Sequence, residues 1–221
     1  TVIQGWGMTE MSPLGTTNFP TPEMDEMPDE EKYALQVKAG RPVFGVEMKI
    51  VDDKGATLPN DGVAYGRLLV RGPWIIKKYF KSEESAVDAD NWFDTGDISS
   101  IDPDGYMAIV DREKDVIKSG GEWISSIDLE NVIANHPDVL QTAVVGIPHP
   151  KWDERPLLFI VSNSGNEFDR SELDDLMLEK FEKWQLPDDV VFLKELPIGA
   201  TGKVKKIDLR QEYTDHYMKE A

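Results

Sequence analysis

The sequence predicts an α+β protein in two unlike parts: an antiparallel β subdomain, then a small domain that mixes helices with strands. Three observations carry this. Residues 46–111 fall into short runs in which apolar and polar residues alternate, the period of a half-buried strand. Beyond residue 112, unbroken apolar runs are interleaved with segments whose apolar residues recur at helical spacing. With 40% hydrophobic and 30% charged residues, 221 positions suffice for one good core or two smaller ones, and two is the expectation.

The opening stretch TVIQGWGMTEMSPLGTTN (1–18) reads as strand from its first residue, with no initiating Met, polar tail or leader pattern. TPEMDEMPDEE (21–31) bears Pro and acid but no apolar period, which predicts an exposed loop. In VEMKIVD, Val46, Met48 and Ile50 share one face; GRLLVRG (66–72) and YMAIVD (106–111) continue the strands. Ser125, three residues before Asp128, signals a helix start, and Leu129, Val132 and Ile133 mark its inner face. TAVVGI (142–147) and PLLFIVS (156–162) read as buried strands around the turn PHPKWDER (148–155). Asp169 with Glu172 predicts the start of a helix whose inner face is Leu173, Leu176, Met177, Phe181 and Trp184, ended by Pro187. A strand at 190–193, the lysine-rich turn TGKVKK (201–206) and a last helix complete the chain, with no internal repeat or low-complexity tract.

Composition excludes several chemistries. With no cysteine there is no disulfide, thiolate catalysis or Cys-based zinc site, and three scattered histidines do not predict a metal site. A formal net charge of −18 argues against a nucleic-acid footprint, though such a surplus also reads simply as a solvated surface. No apolar stretch approaches the roughly 20 residues of a membrane span. The expectation is a soluble, cytoplasmic chain.

Two segments offer chemistry. QGWGMTE joins a strand to a turn through two glycines. Such a turn can lay Trp6 flat on a purine, admit a phosphate beside Gly7, and present Thr9 and Glu10 to phosphate and Mg²⁺; equally, a strand-end Trp belongs to a core. Asp97 ends a strand in TGD, where a carboxylate can accept two ribose hydroxyls or form an Asx turn.

Four motifs occur in order: QGWGMTE, NWFDTGD (91–97), DREKDVIKSGGEWISS (111–126) and PIGATGKVKK (197–206). Together they resemble the adenylate-forming superfamily of acyl-CoA synthetases, peptide-synthetase adenylation domains and luciferases. GWGMTEMSPLGT with IKSGGEWISSIDLE is most similar to its medium- and long-chain fatty-acyl-CoA ligase branch. The resemblance implies an ATP-dependent, AMP-forming acid–thiol ligase that joins a carboxylic acid to AMP and then to CoA. It implies that residues 1–113 end a large adenylation domain and that 114–221 form a mobile lid. It also implies that the Ser/Thr/Gly-rich phosphate loop and acyl pocket precede residue 1, so that the chain alone is inactive; GATGK (199–203) is not a Walker loop, because Pro197 stands at its first glycine.

The site residues follow from the resemblance. Gln4, Gly5, Trp6, Gly7 and Met8 would line the adenine slot, Thr9 would touch the phosphates, Glu10 would assist Mg²⁺, and Asp97 with Arg112 would hold the ribose. Lys114 would be the hinge. Gly120, Gly121 and Glu122 would meet the pantetheine arm of CoA, beside Trp123, where many relatives carry a phosphate-binding Arg. Lys203, behind Thr201 and Gly202, would bring its ammonium to the α-phosphate; by itself it reads as an exposed lysine. Gly199, where the family has Thr, predicts a looser loop.

Other readings stay open: a ligase for a short or sulfur-containing acid such as 3-(methylthio)propanoate, a non-catalytic acidic interaction module, and a peptide-synthetase adenylation domain, the last disfavoured because no carrier follows. A homo-oligomer also stays open.

Overall fold

The computed structural model describes residues 3–165, 167–200 and 202–219, so Thr201 of the lysine turn lies outside the described residues. The chain forms two compact units, Thr1–Glu113 and Lys114–Ala221. The α+β class, with antiparallel sheets, is as the sequence predicts.

In the first unit, β1 (Gly5–Gly7), β2 (Leu14–Thr17) and β3 (Arg41–Pro42) make a three-stranded antiparallel sheet. A second antiparallel sheet runs in chain order through β4 (Glu47–Val51), β5 (Tyr65–Arg71), β6 (Phe93–Ile101) and β7 (Met107–Arg112). The alternation delivers the expected burial: Ile50, Leu68, Val70 and Met107 are fully enclosed, and they pack with Trp6, Met11 and Phe93.

Residues 21–31 correct the loop expectation, because they contain α1 (Pro22–Asp25) and the start of α2 (Asp29–Gln36). Pro22 takes the first helical position and Met24 is buried. The acidic run that read as loop places Asp29, Glu30 and Glu31 in the first turn of α2, where the helix dipole favours carboxylates. Asn18 closes the other end, its Nδ2 donating to Leu35 O (2.7 Å) and Lys38 O (2.9 Å).

The second unit is built on a five-stranded sheet. β8 (Ile117–Ser119), β9 (Glu122–Ile124), β10 (Val139–His149) and β11 (Asp153–Ser162) lie in the order β10-β11-β8-β9, and β12 (Asp189–Phe192) pairs parallel with β11. β10 and β11 outrun their expected lengths, leaving only residues 150–152 of the predicted turn outside the ladder. Helix α3 (Ser126–Ile133) is capped as read, Ser125 Oγ accepting from Asp128 N–H at 3.1 Å.

Helix α4 (Arg170–Leu178) starts on Asp169, whose carboxylate accepts from Ser171 N–H at 3.0 Å, but it stops well before Pro187. Leu173 and Met177 are buried as expected, whereas Trp184 sits in a separate short turn, Lys183–Gln185, and is 45% exposed. That turn restarts because Glu182 N–H donates to Gln185 Oε1 at 2.9 Å. The last helix is α5 (Lys206–Glu212).

Both faces of the β10–β11 hairpin are covered. Val144, Leu158 and Ile160 pack with residues of α3 and α4, and Val145, Leu157, Phe159 and Val161 pack with Leu196, Leu209 of α5 and Tyr217. Unbroken apolar runs, rather than alternation, are the sequence form of such a strand.

Candidate functional site

The functional residues named from the sequence fall into two groups. Gln4 to Glu10, Asp97 and Arg112 belong to the first unit, and Lys114, Gly120 to Glu122 and Lys203 to the second.

The first group is organised around a buried carboxylate. Asp97 lies within β6 rather than at a strand end or in a turn, because the strand continues to Ile101 through a register shift beside β7. It is 2% exposed. Trp6 Nε1 donates to Asp97 Oδ2 at 2.9 Å, and Arg112 Nε lies 2.8 Å from Oδ1. Thr95 Oγ1 donates to Leu68 O (2.9 Å) and accepts from Asp97 N–H (3.1 Å), fixing the backbone beneath. Burial pushes the Asp97 carboxyl above the ordinary Asp value, with Arg112 and the Trp6 indole working against that rise. Each carboxylate oxygen has one protein donor and a lone pair to spare.

Trp6 itself joins the core, 8% exposed, so the core alternative for this ring describes the structure and a ring laid flat on a ligand does not. Its neighbours Gln4, Gly5, Gly7 and Thr9 are exposed, and Met8 packs half-buried on the core. Gly7 is required by close approach: a Cβ there would stand 1.9 Å from Pro13 O. Glu10 is tied to the segment before β6, its carbonyl accepting from Ile76 N–H (2.8 Å) and its Oε1 from Tyr79 O–H (3.0 Å). Thr9, Glu10, Ser12, Trp74, Ile76 and Tyr79 line a cavity of about 300 Å³. Among the described residues no group of three or more His, Cys, Asp or Glu is placed to hold a metal ion. Glu10 can therefore offer one carboxylate, which suits Mg²⁺ shared with substrate phosphates.

In the second unit, Gly120 and Gly121 turn the β8–β9 hairpin with φ of 62° and 89°, a region that favours glycine. Gly120 N–H donates to Trp152 O at 2.8 Å. The turn borders a groove of about 350 Å³ whose walls include Glu122, Trp152, Arg155 and Trp184. Arg155 builds this groove and was missed in the sequence. It is 7% exposed, and its guanidinium bonds Ser119 Oγ (3.0 Å), Trp184 O (2.7 Å), Leu186 O (3.0 Å) and both oxygens of Asp188 (2.8 and 2.7 Å). The signal was there: a charge at the head of an otherwise unbroken apolar strand needs a fixed partner.

Lys203 is exposed, and among the described residues it has no ion pair. On either side of position 201, Gly199 N–H donates to Lys203 O (2.7 Å), Gly202 N–H to Gly199 O (2.9 Å) and Lys205 N–H to Pro197 O (2.8 Å). Lys206, the first residue of α5, is half-buried: its Nζ lies 2.6 Å from Glu130 Oε1 and donates to Ser126 Oγ at 2.7 Å.

Comparison with known proteins agrees with the motifs. The family model for AMP-binding enzymes matches residues 1–80, and the model for the AMP-binding enzyme C-terminal domain matches 128–203. The chain is 53% identical over 96% of its length to a 3-methylmercaptopropionyl-CoA ligase of Ruegeria lacuscaerulensis, covering 40% of that protein. It is 47% identical over 97% of its length to a medium-chain-fatty-acid–CoA ligase of Ectopseudomonas oleovorans, covering 39% of it. Among solved structures it is similar to ATP-bound MatB from Rhodopseudomonas palustris, at a TM-score of 0.81 and 28% identity over 98% of this chain and 41% of that one. Bacillus subtilis o-succinylbenzoate CoA synthetase with its acyl-adenylate is similar at a TM-score of 0.80 and 32% identity over 95% of this chain and 41% of that one. The chain thus spans about 40% of the length of the relatives it matches. It belongs to the AMP-binding enzymes, the adenylate-forming superfamily.

Proposed function

We propose that this chain is the C-terminal portion of an ATP-dependent, AMP-forming acyl-CoA ligase acting on an aliphatic acid, in the first place a fatty acid. The observation that carries the reading is the Trp6–Asp97–Arg112 cluster, which joins three separate motifs on one buried carboxylate. In this reading Asp97 and Arg112 hold the ribose, while Gln4 to Met8 edge the adenine slot with backbone rather than with the Trp6 face. Thr9 meets phosphate oxygens, and Glu10, held by Tyr79, offers its free carboxylate oxygen to Mg²⁺. When bound, Mg²⁺ would neutralise charge on the transferring phosphate. Residues 1–113 would end the adenylation domain, and residues 114–221 would form the lid that turns about Lys114. The exposed Lys203 ammonium would act as a point charge at the α-phosphate. The groove beside Gly120, Gly121 and Glu122 would take the uncharged arm of CoA. A chain with no cysteine suits a reducing compartment, the cytoplasm.

A second reading, a ligase for 3-(methylthio)propanoate, is favoured by the 53% identity to ligases named for that acid. One experiment tests both. The longer polypeptide that contains this chain is given ATP, CoA and a panel of C3 to C18 acids, including the methylthio acid, and thioester is measured. Thioester from medium or long chains supports the first reading and thioester confined to the methylthio acid the second. No thioester and no pyrophosphate from any acid refutes both in favour of an interaction module.

A further inference from the structure

The chain passes from the first unit to the second between Glu113 and Lys114. Each side of that crossing is held by a hydrogen bond into its own unit. Glu113 N–H donates to Gly96 O, in β6, at 2.9 Å. On the far side, Lys114 O accepts from Arg210 Nη1 at 2.7 Å, and the Nε of the same guanidinium donates to Gly146 O, in β10, at 3.2 Å. Arg210 is carried by α5, which Leu209, 1% exposed, seats on the sheet.

A peptide unit is planar, so a hydrogen bond to its N–H or its C=O fixes the whole plane. The Glu113 N–H fixes the plane shared by Arg112 and Glu113 in the first unit. The Lys114 carbonyl fixes the plane shared by Lys114 and Asp115 in the second. One plane lies between them, and only φ and ψ of Glu113 and Lys114 separate the two that are fixed.

We propose that Arg210 is a positioning residue that confines the pivot between the units to Glu113 and Lys114. The proposal rests on the reading of Lys114 as a pivot and changes it from one residue to two, with a named clamp. Without the guanidinium, the plane of Lys114 and Asp115 is released. The pivot then runs on to Val116, whose side chain, 3% exposed, is the next anchor. A short pivot gives the second unit few orientations, and a long one gives it many.

Backbone ¹⁵N relaxation on the intact chain tests this without substrate, so a failure of the ligase reading would leave the result standing. In the unaltered chain the amides of Glu113 and Asp115 should have order parameters near about 0.85, as in a rigid backbone, and that of Lys114 should fall below about 0.6. Arg210→Met keeps the aliphatic stem and removes the donors; it should lower Asp115 below about 0.6 and leave Glu113 unchanged. Arg210→Lys, whose ammonium still reaches one carbonyl, should keep Asp115 ordered. Unchanged order at Asp115 in Arg210→Met overturns the proposal, as does a Lys114 amide as rigid as its neighbours in the unaltered chain. If Arg210→Met unfolds the second unit, the pattern across the three amides of the unaltered chain decides alone.

Discussion

Arg155→Met should destabilise the second unit by about 4 kcal/mol, and the figure follows from what the guanidinium leaves behind. Met matches the stem and fills most of the volume, so the loss is polar. Asp188 keeps 39% of its side-chain surface and recovers water. Ser119 Oγ, in a residue 4% exposed, loses the donor it accepts from. The carbonyl of Trp184, in a residue 45% exposed, can recover water as well, whereas that of Leu186, in a residue 6% exposed, is orphaned together with Ser119 Oγ. An orphaned buried polar group costs about 1–3 kcal/mol, and two of them give about 2–6. Urea unfolding followed by circular dichroism measures it, with Arg155→Lys as the comparison, since one ammonium cannot reach two carbonyls and a carboxylate together. A loss below about 1 kcal/mol would refute the reasoning, because the orphaned groups would then have found other donors.

Lys203→Ala in the longer enzyme should lower adenylation by about 10²–10³-fold, while thioester formation from supplied acyl-AMP stays nearly normal; equal loss in the two half-reactions, measured separately, would make it a structural lysine. Lys114→Pro should spare acyl-AMP formation and impair thioester formation, since a fixed φ removes one pivot torsion; single-turnover assays of each half-reaction check it. Lys206→Met should cost about 3 kcal/mol in urea unfolding, because Glu130, 20% exposed, would lose its ammonium partner while still accepting from Val144 N–H at 2.7 Å; adding Glu130→Gln should restore part of the loss. Burial raises the Asp97 pKa, so the folded state holds that proton more tightly than the unfolded one. The ionisation penalty is therefore absent below about pH 3.9 and grows as pH rises through the folded value. Urea unfolding across pH should show wild type losing stability relative to Asp97→Asn as pH rises, and a constant difference would contradict the direction.

The strands were legible wherever one physical rule ruled alone. Alternation placed β4, β5 and β7 within a residue, and unbroken apolar runs marked β10 and β11. Helices failed where a local rule had two meanings. The acids of 29–31 signal both a loop and a helix N-terminus, and no buried residue in α2 was present to choose between them. Trp184 fits the spacing of α4, but the Glu182–Gln185 contact ends that spacing, and pattern alone does not register a side chain bonding to backbone. At the site, the motifs supplied Asp97 and Arg112, and their pairing needed the register of β6 against β7. Tyr79 and Arg155 were invisible because they act on Glu10, Trp184 and Asp188 across 69, 29 and 33 positions of sequence.

The covered hairpin of the second unit bears on how the gene tolerates change. Along β5, buried and part-exposed positions alternate, so permitted replacements should form a comb, every second codon free to drift. Along β11, seven successive positions from Arg155 to Val161 are buried, and the comb closes into a solid block. A catalogue of viable variants would therefore show two textures in one protein. The block would also be the stretch where drift is repaired only in pairs, one change on the hairpin answered by another on the helix that covers it.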